Sequence, residues 1–187
     1  MIDILIYVGG ALAIAVVALL AYASRKPDEF NTSRATVIRA PAERIFPLIN
    51  DLGAFNTWNP FNRDPRARID YRGPAQGKGA GYDWAGDRNV GKGSLEILDS
   101  TPPSEIVMRL DMLKPMEAHN RVVFRLEPQG EATKVSWTMS GKQPFLGKLM
   151  STFIDCEKMC GDEFERCLSA LKARAEGEAA IGRPVRV

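Results

Sequence analysis

Between residues 67 and 140 the chain alternates apolar and polar side chains with a period of two, interrupted by glycine, proline and acidic turn residues. Successive side chains of a strand point to opposite faces, so the pattern predicts strands at 67–71, 80–84, 91–100, 106–112, 118–126 and 133–140. The last three are the clearest. Ile106, Met108, Leu110 and Met112, then Val122, Phe124 and Leu126, then Val135, Trp137 and Met139 make one dry face. Arg109, Asp111, Arg121, Arg125, Lys134, Ser136 and Thr138 fall on the other, as expected of an antiparallel sheet with one solvated side. Residues 128–131 read as a hairpin turn.

Beyond the strands the period lengthens. Leu149, Phe153, Cys156, Cys160, Phe164, Cys167 and Leu171 recur at steps of four and three, which predicts one helix over 146–175, roughly 45 Å long. Its apolar stripe needs a partner, and the dry sheet face supplies one. Gly177 reads as the helix stop. Upstream, residues 32–39 predict a first strand, with β-branched Thr36, Val37 and Ile38. Ile45, Phe46, Leu48 and Ile49 then predict a short amphipathic helix over 42–50, kinked at Pro47. Phe55, Trp58 and Phe61 cluster on a loop or fragmentary second helix broken by Gly53 and Asn59-Pro60.

The first stretch has neither pattern. Residues 4–23 carry no charge and at helical rise cover about 30 Å, the thickness of a bilayer's hydrocarbon core. A cleaved signal peptide is the rival, because Ala21-Tyr22-Ala23 resembles a cleavage site, but the preceding residues hold Asp3 and no cation. The reading is an uncleaved membrane anchor. Arg25 and Lys26 follow it and place the domain in the cytoplasm by the positive-inside rule. The expected organisation is an anchor and flank at 1–26, a linker at 27–31, a folded domain at 32–176 and a flexible tail at 177–187.

Composition narrows the chemistry. With 25 Lys+Arg dispersed against 23 Asp+Glu, the 187 residues have a net charge of +2 and no basic stripe, so no nucleic-acid partner is expected. The three cysteines all fall in the long apolar stripe, where they read as small buried hydrophobes rather than a disulfide framework or zinc set. No metal and no cofactor are expected. His119, the single histidine, shares a strand face with Arg121 and reads as a surface residue. The carboxylates of the long helix single out no acid–base pair. Catalytic residues are therefore assigned to none.

Gly77, Gly79 and Gly81 spell a GxGxG string, but a dinucleotide loop must open a helix, and here Tyr82, Asp83 and Trp84 continue as a strand. These glycines read as bends in a curved sheet. What remains is an inward set of aromatic, sulfur-bearing and amide side chains from loop, sheet and helix: Trp58, Phe61, Tyr82, Trp84, Met108, Asn120, Phe124, Trp137, Phe153, Cys160 and Phe164. Asn120 stands out, because it shares the dry face with Val122 and a buried amide needs a partner.

Residues 40–51 (Ala-Pro-Ala-Glu-Arg-Ile-Phe-Pro-Leu-Ile-Asn-Asp), Trp58-Asn59-Pro60, Gly73-Pro74, Gly77 to Trp84, Gly91 and Gly93, Thr133 to Gly141, and Gly161 to Lys172 resemble the START-like (SRPBCC) superfamily, which includes polyketide cyclase-like proteins. The resemblance implies an α+β helix-grip fold, a curved antiparallel sheet wrapped on a long C-terminal helix, with an apolar cavity between them. It implies a hydrophobic small molecule or lipid as partner, held by the inward set above, and it brings no universal catalytic residue. The expectation is a membrane-anchored binding domain rather than an enzyme. The alternatives are a polyketide cyclase- or hydrolase-like enzyme using the same cavity, and a protein-interaction or stress-related module. The ligand's identity and any protein partner stay unassigned.

Overall fold

The period-two alternation becomes a seven-stranded antiparallel sheet in a computed structural model that describes residues 2–59, 67–87, 90–153 and 155–181. The elements in chain order are α1 (Ile2–Ser24), β1 (Glu29–Ile38), α2 (Ala42–Asn50), α3 (Leu52–Phe55), β2 (Arg68–Arg72), β3 (Gly81–Ala85), β4 (Lys92–Thr101), β5 (Glu105–Lys114), β6 (Ala118–Gln129), β7 (Ala132–Lys142), α4 (Phe145–Met150) and α5 (Cys156–Ile181). The sheet order is β1-β7-β6-β5-β4-β3-β2, so β2 to β7 form a meander and β1 joins its far edge. The chain divides into two compact units, Asn31–Gly141 with Glu157–Val187, and Met1–Phe30 with Lys142–Cys156.

In the larger unit, the dry face is continuous across the strands. Register places Phe124 opposite both Ile106 and Trp137, Val122 opposite Met108 and Met139, and Tyr82 opposite Leu95. These side chains are buried together with Ile45 and Ile49 of α2, Leu52 and Phe55 of α3, and Phe164, Cys167, Leu168, Leu171 and Ala175 of α5. The last five recur at helical spacing, so one stripe of α5 enters the core. Three polar ties run from α5 to β1 and the residue after it: Arg34 Nε donates to Glu165 Oε1 at 3.0 Å, Lys172 Nζ to the Val37 carbonyl at 2.8 Å, and the Arg39 N–H to Glu176 Oε1 at 2.9 Å.

The outer face carries cross-strand ion pairs. Arg72 and Arg109 both reach Glu96, Arg125 pairs with Glu105 and Lys134 with Glu127. Such exposed pairs add little stability each, and they mark this face as solvated.

The glycines act as bends. Gly77 and Gly79 take φ of +76° and +85°, a region that side chains disfavour, and lead into strand β3 instead of a helix. Gly93 has a different reason. A Cβ there would lie 2.4 Å from the Asp111 carbonyl oxygen and 2.5 Å from the Trp84 ring, so the absence of a side chain lets Trp84 lie across β4.

The single helix expected over 146–175 is two helices, α4 and α5, separated by a turn. The hydroxyls of Ser151 and Thr152 both donate to the Lys148 carbonyl, at 2.9 and 3.1 Å. Backbone bonds of the tighter kind, Thr152 N to Leu149 O and Phe153 N to Met150 O, close the turn. These side chains compete for the carbonyl that would continue the helix. At the other end α5 passes through Gly177 to Ile181, because Gly177 keeps φ negative and forms no left-handed cap. β1 begins at Glu29, three residues before the expected start.

In the smaller unit, α1 is 23 residues long, and its stretch Tyr7–Ser24 has a mean hydropathy of 2.0 with almost nothing buried. By length and composition it is one helix apolar enough to cross a membrane. It packs against α4, and Ala23 near its C-terminal end is completely buried.

Candidate functional site

The inward face of the larger unit gathers its aromatic residues into a connected cluster. Phe55 meets Trp58 edge to face at 4.9 Å, and Trp58 meets Phe124 and Trp137 the same way, each at 6.1 Å. Trp137 stacks on Phe164 with centroids 4.2 Å apart and planes at 9°. Edge-to-face and stacked rings of this kind hold one another's rotamers. Of the expected set, this brings together Trp58, Phe124, Trp137 and Phe164 from α3's trailing turn, β6, β7 and α5. Met108 is fully buried on β5, two strands from Trp137.

A polar group lies beside it. The Asn59 amide donates to the Tyr82 hydroxyl at 3.1 Å, and the Asn56 amide donates to the Tyr71 hydroxyl at 3.0 Å. Tyr71 and Tyr82 are neighbouring rings 5.9 Å apart, and Trp84 lies a further 5.9 Å from Tyr82. Burial pushes the Tyr82 phenol far up, the Tyr71 phenol adds to this, and the Asn59 bond opposes it. Tyr82 is therefore a neutral hydroxyl at any physiological pH. Asn56 and Asn59 were not in the expected set; a buried tyrosine hydroxyl calls for a partner, but Asn59 is 23 residues from Tyr82 in sequence.

Among the described residues, Asn120 Oδ1 and Trp137 Nε1 are buried polar atoms without a hydrogen-bond partner. The contrast with Trp58 is direct, since its indole N–H donates to the Leu48 carbonyl at 2.8 Å. Asn120 is 8% exposed and sits opposite Leu110 and Gly141, while Trp137 is 2% exposed and sits opposite Phe124. Both are on the inward face, Asn120 on β6 and Trp137 on β7, and the residue opposite Trp137, Phe124, is four positions along β6 from Asn120, or about 13 Å at strand rise. Their atoms form an acceptor and a donor among apolar neighbours.

Other expected members lie elsewhere. Phe153, expected on the inward stripe of one long helix, is 72% exposed in the turn between α4 and α5. The stripe is broken there, so its spacing no longer sets where the side chain points. Cys160 is half-buried, and Phe61 and the Cys156 side chain are outside the described residues. Among the described residues no three His, Cys, Asp or Glu side chains come together as a metal site.

His119 is exposed on the solvated face, with Nδ1 2.8 Å from Asp111 Oδ1. That hydrogen bond, with the Asp111 and Glu117 charges, raises its pKa above the ordinary value. An open cleft of about 430 Å³ at the β2–β3–β4 edge is lined by Arg68, Asp70, Asp83, Lys92, Trp84 and Leu113 among others. Its charged walls suit an apolar ligand poorly.

The same fold occurs in solved structures of low identity. Protein CV1439 from Chromobacterium violaceum matches with a TM-score of 0.57 at 17% identity, over 81% of this chain and 99% of that one. Protein MLL2253 from Mesorhizobium loti matches at 0.59 and 13% identity, over 80% and 98%. The Aha1 dimer from Colwellia psychrerythraea matches at 0.56 and 18%, over 79% and 96%. No curated protein matches the chain. The sheet that closes on α5, the inward face it carries and a family-model match over residues 29–176 together make the chain a member of the polyketide cyclase/dehydrase and lipid transport family, within the START-like superfamily.

Proposed function

We propose that this chain is a membrane-anchored binding domain for a hydrophobic small molecule or lipid, held between the sheet and α5. The observation that carries the reading is Asn120. A buried acceptor without a donor costs about 1–3 kcal/mol, so a fold that keeps one gains if a ligand hydroxyl or amide supplies the donor. Trp137 Nε1 offers the complementary donor on the same face. An elongated, mostly apolar ligand with polar groups near each would satisfy both. Trp58, Tyr82, Trp84, Met108, Phe124, Cys160 and Phe164 are the side chains proposed to touch its apolar part. Burying about 300 Å² of apolar ligand surface would gain roughly 7 kcal/mol before association costs.

The family description, polyketide cyclase/dehydrase and lipid transport, supports a cavity for such molecules. In this reading α1 spans the bilayer, and Arg25 and Lys26 keep its end and the domain on the cytoplasmic side. Ligand would then come from the adjacent membrane. The test is to purify the full chain in detergent, examine it by native mass spectrometry, and extract it with organic solvent. Co-purifying lipophilic molecules, or uptake of them from lipid vesicles, are expected. An empty chain that takes up nothing overturns the proposal.

A further inference from the structure

A six-residue helix in water should hide its apolar side chains and expose its lysine, and α4 does the reverse. Lys148 is its buried residue, with its ammonium hydrogen-bonded to the Asp28 carboxylate. Phe145, Leu146 and Met150 are exposed, and Phe153 in the following turn more so. This inverted polarity is held in place. Besides the Lys148–Asp28 pair, Lys26 Nζ donates to Ser151 Oγ at 3.1 Å and the Gln143 N–H to the Asp28 carbonyl at 2.7 Å. The three ties fasten α4 and its flanks to the residues directly after α1, the helix it packs against.

That place is where a spanning helix leaves the hydrocarbon core. Tyr22 is exposed there, with the Lys26 ammonium 5.6 Å from its ring centre. An aromatic ring and a lysine at the end of an apolar helix are the usual residents of the headgroup level. The exposed apolar residues of α4 thus continue the apolar surface of α1 at the depth where a bilayer interface would meet them.

We propose that Phe145, Leu146, Met150 and Phe153 insert into the interface of the bilayer that α1 crosses, making α4 an in-plane membrane contact beside the anchor. The inference rests on the reading of α1 as a span. With its lysine paired to Asp28 on the protein side, α4 is left with only its apolar side chains to turn outward, as an in-plane contact with lipid requires.

The test uses the wild-type full chain in phosphatidylcholine–phosphatidylglycerol vesicles at low protein-to-lipid ratio. A carbene reagent confined to the lipid phase is activated by light, and labelled residues are mapped by mass spectrometry. Label is expected in α1 and again within 145–153, with none on the solvated strand face around Arg121. Label in α1 with 145–153 clean overturns the inference and leaves the anchor standing; a second copy covering α4 gives this same result. Label absent from α1 overturns the anchor reading and this inference with it.

Discussion

The indole of Trp137 lies flat on the ring of Phe164, 4.2 Å between centroids, and this contact fastens the sheet's β7 to α5 in the middle of the inward face. Phe164 is almost completely buried, so shortening it leaves a cavity that the neighbouring rings cannot fill. Phe164→Ala should lower stability by about 3–5 kcal/mol, and Phe164→Leu by clearly less. Denaturant unfolding of the full chain in detergent, followed by tryptophan fluorescence, checks both. A loss below about 1 kcal/mol for the alanine variant would mean that the stack does not hold the sheet to α5.

Asn120 predicts opposite effects on stability and binding. Leucine there removes the partnerless carbonyl oxygen and adds apolar volume of similar size, so Asn120→Leu should leave stability unchanged or raise it by about 1 kcal/mol. The same change should reduce retention of extracted lipophilic ligand. A clearly destabilised variant would assign the amide to holding the fold instead.

Two glycines predict different tolerances. At Gly93 a methyl meets the Asp111 backbone oxygen, which cannot move without breaking the β4–β5 ladder, so Gly93→Ala should cost roughly 1–3 kcal/mol. At Gly161 the methyl would lie 2.0 Å from the Arg34 guanidinium, the mobile end of a long side chain. Arg34 would swing aside and lose its Glu165 pair, a loss of up to about 1 kcal/mol, while alanine in a helix gains about the same. Gly161→Ala should be near neutral. Thermal unfolding of the two variants side by side distinguishes a fixed neighbour from a movable one.

His119, the only imidazole, allows a direct titration. Its hydrogen bond to Asp111 raises the folded-state pKa above 6.5, so Asp111→Asn should lower it, as read from the single histidine signal by NMR. The contribution to stability is fully present below the unfolded-state pKa and fades as pH rises through the folded-state value. An unchanged histidine pKa in Asp111→Asn would exclude the pairing.

Strand positions were readable to within a few residues because burial on one face imposes a period of two, and register cannot slip without exposing Phe124 and Trp137. Asn120 was readable for the same reason: an amide at a dry-face position stands out against Val122. The break between α4 and α5 was not readable from the stripe. The spacing of apolar side chains runs on through Ser151 and Thr152, and says nothing about hydroxyls competing for the Lys148 carbonyl. Phe153 was misplaced as a consequence. The partnerless Trp137 N–H had no local signal at all, since Trp58 has the same side chain and finds the Leu48 carbonyl ten residues back in the chain. Lys148 was equally hidden, because the partner of its buried ammonium is Asp28, 120 residues away in sequence.

The far edge of the sheet is β2, five residues long, with Arg68, Asp70 and Arg72 exposed along it. Every edge strand offers unpaired backbone groups to any extended chain that meets it. Here a visiting strand could pair with only a short ladder, and would have to strip water from a row of charges to do so. If α1 holds the chain in a bilayer, as proposed, copies gathered on that two-dimensional surface meet far more often than in free solution, and this edge lets them collide without stitching together.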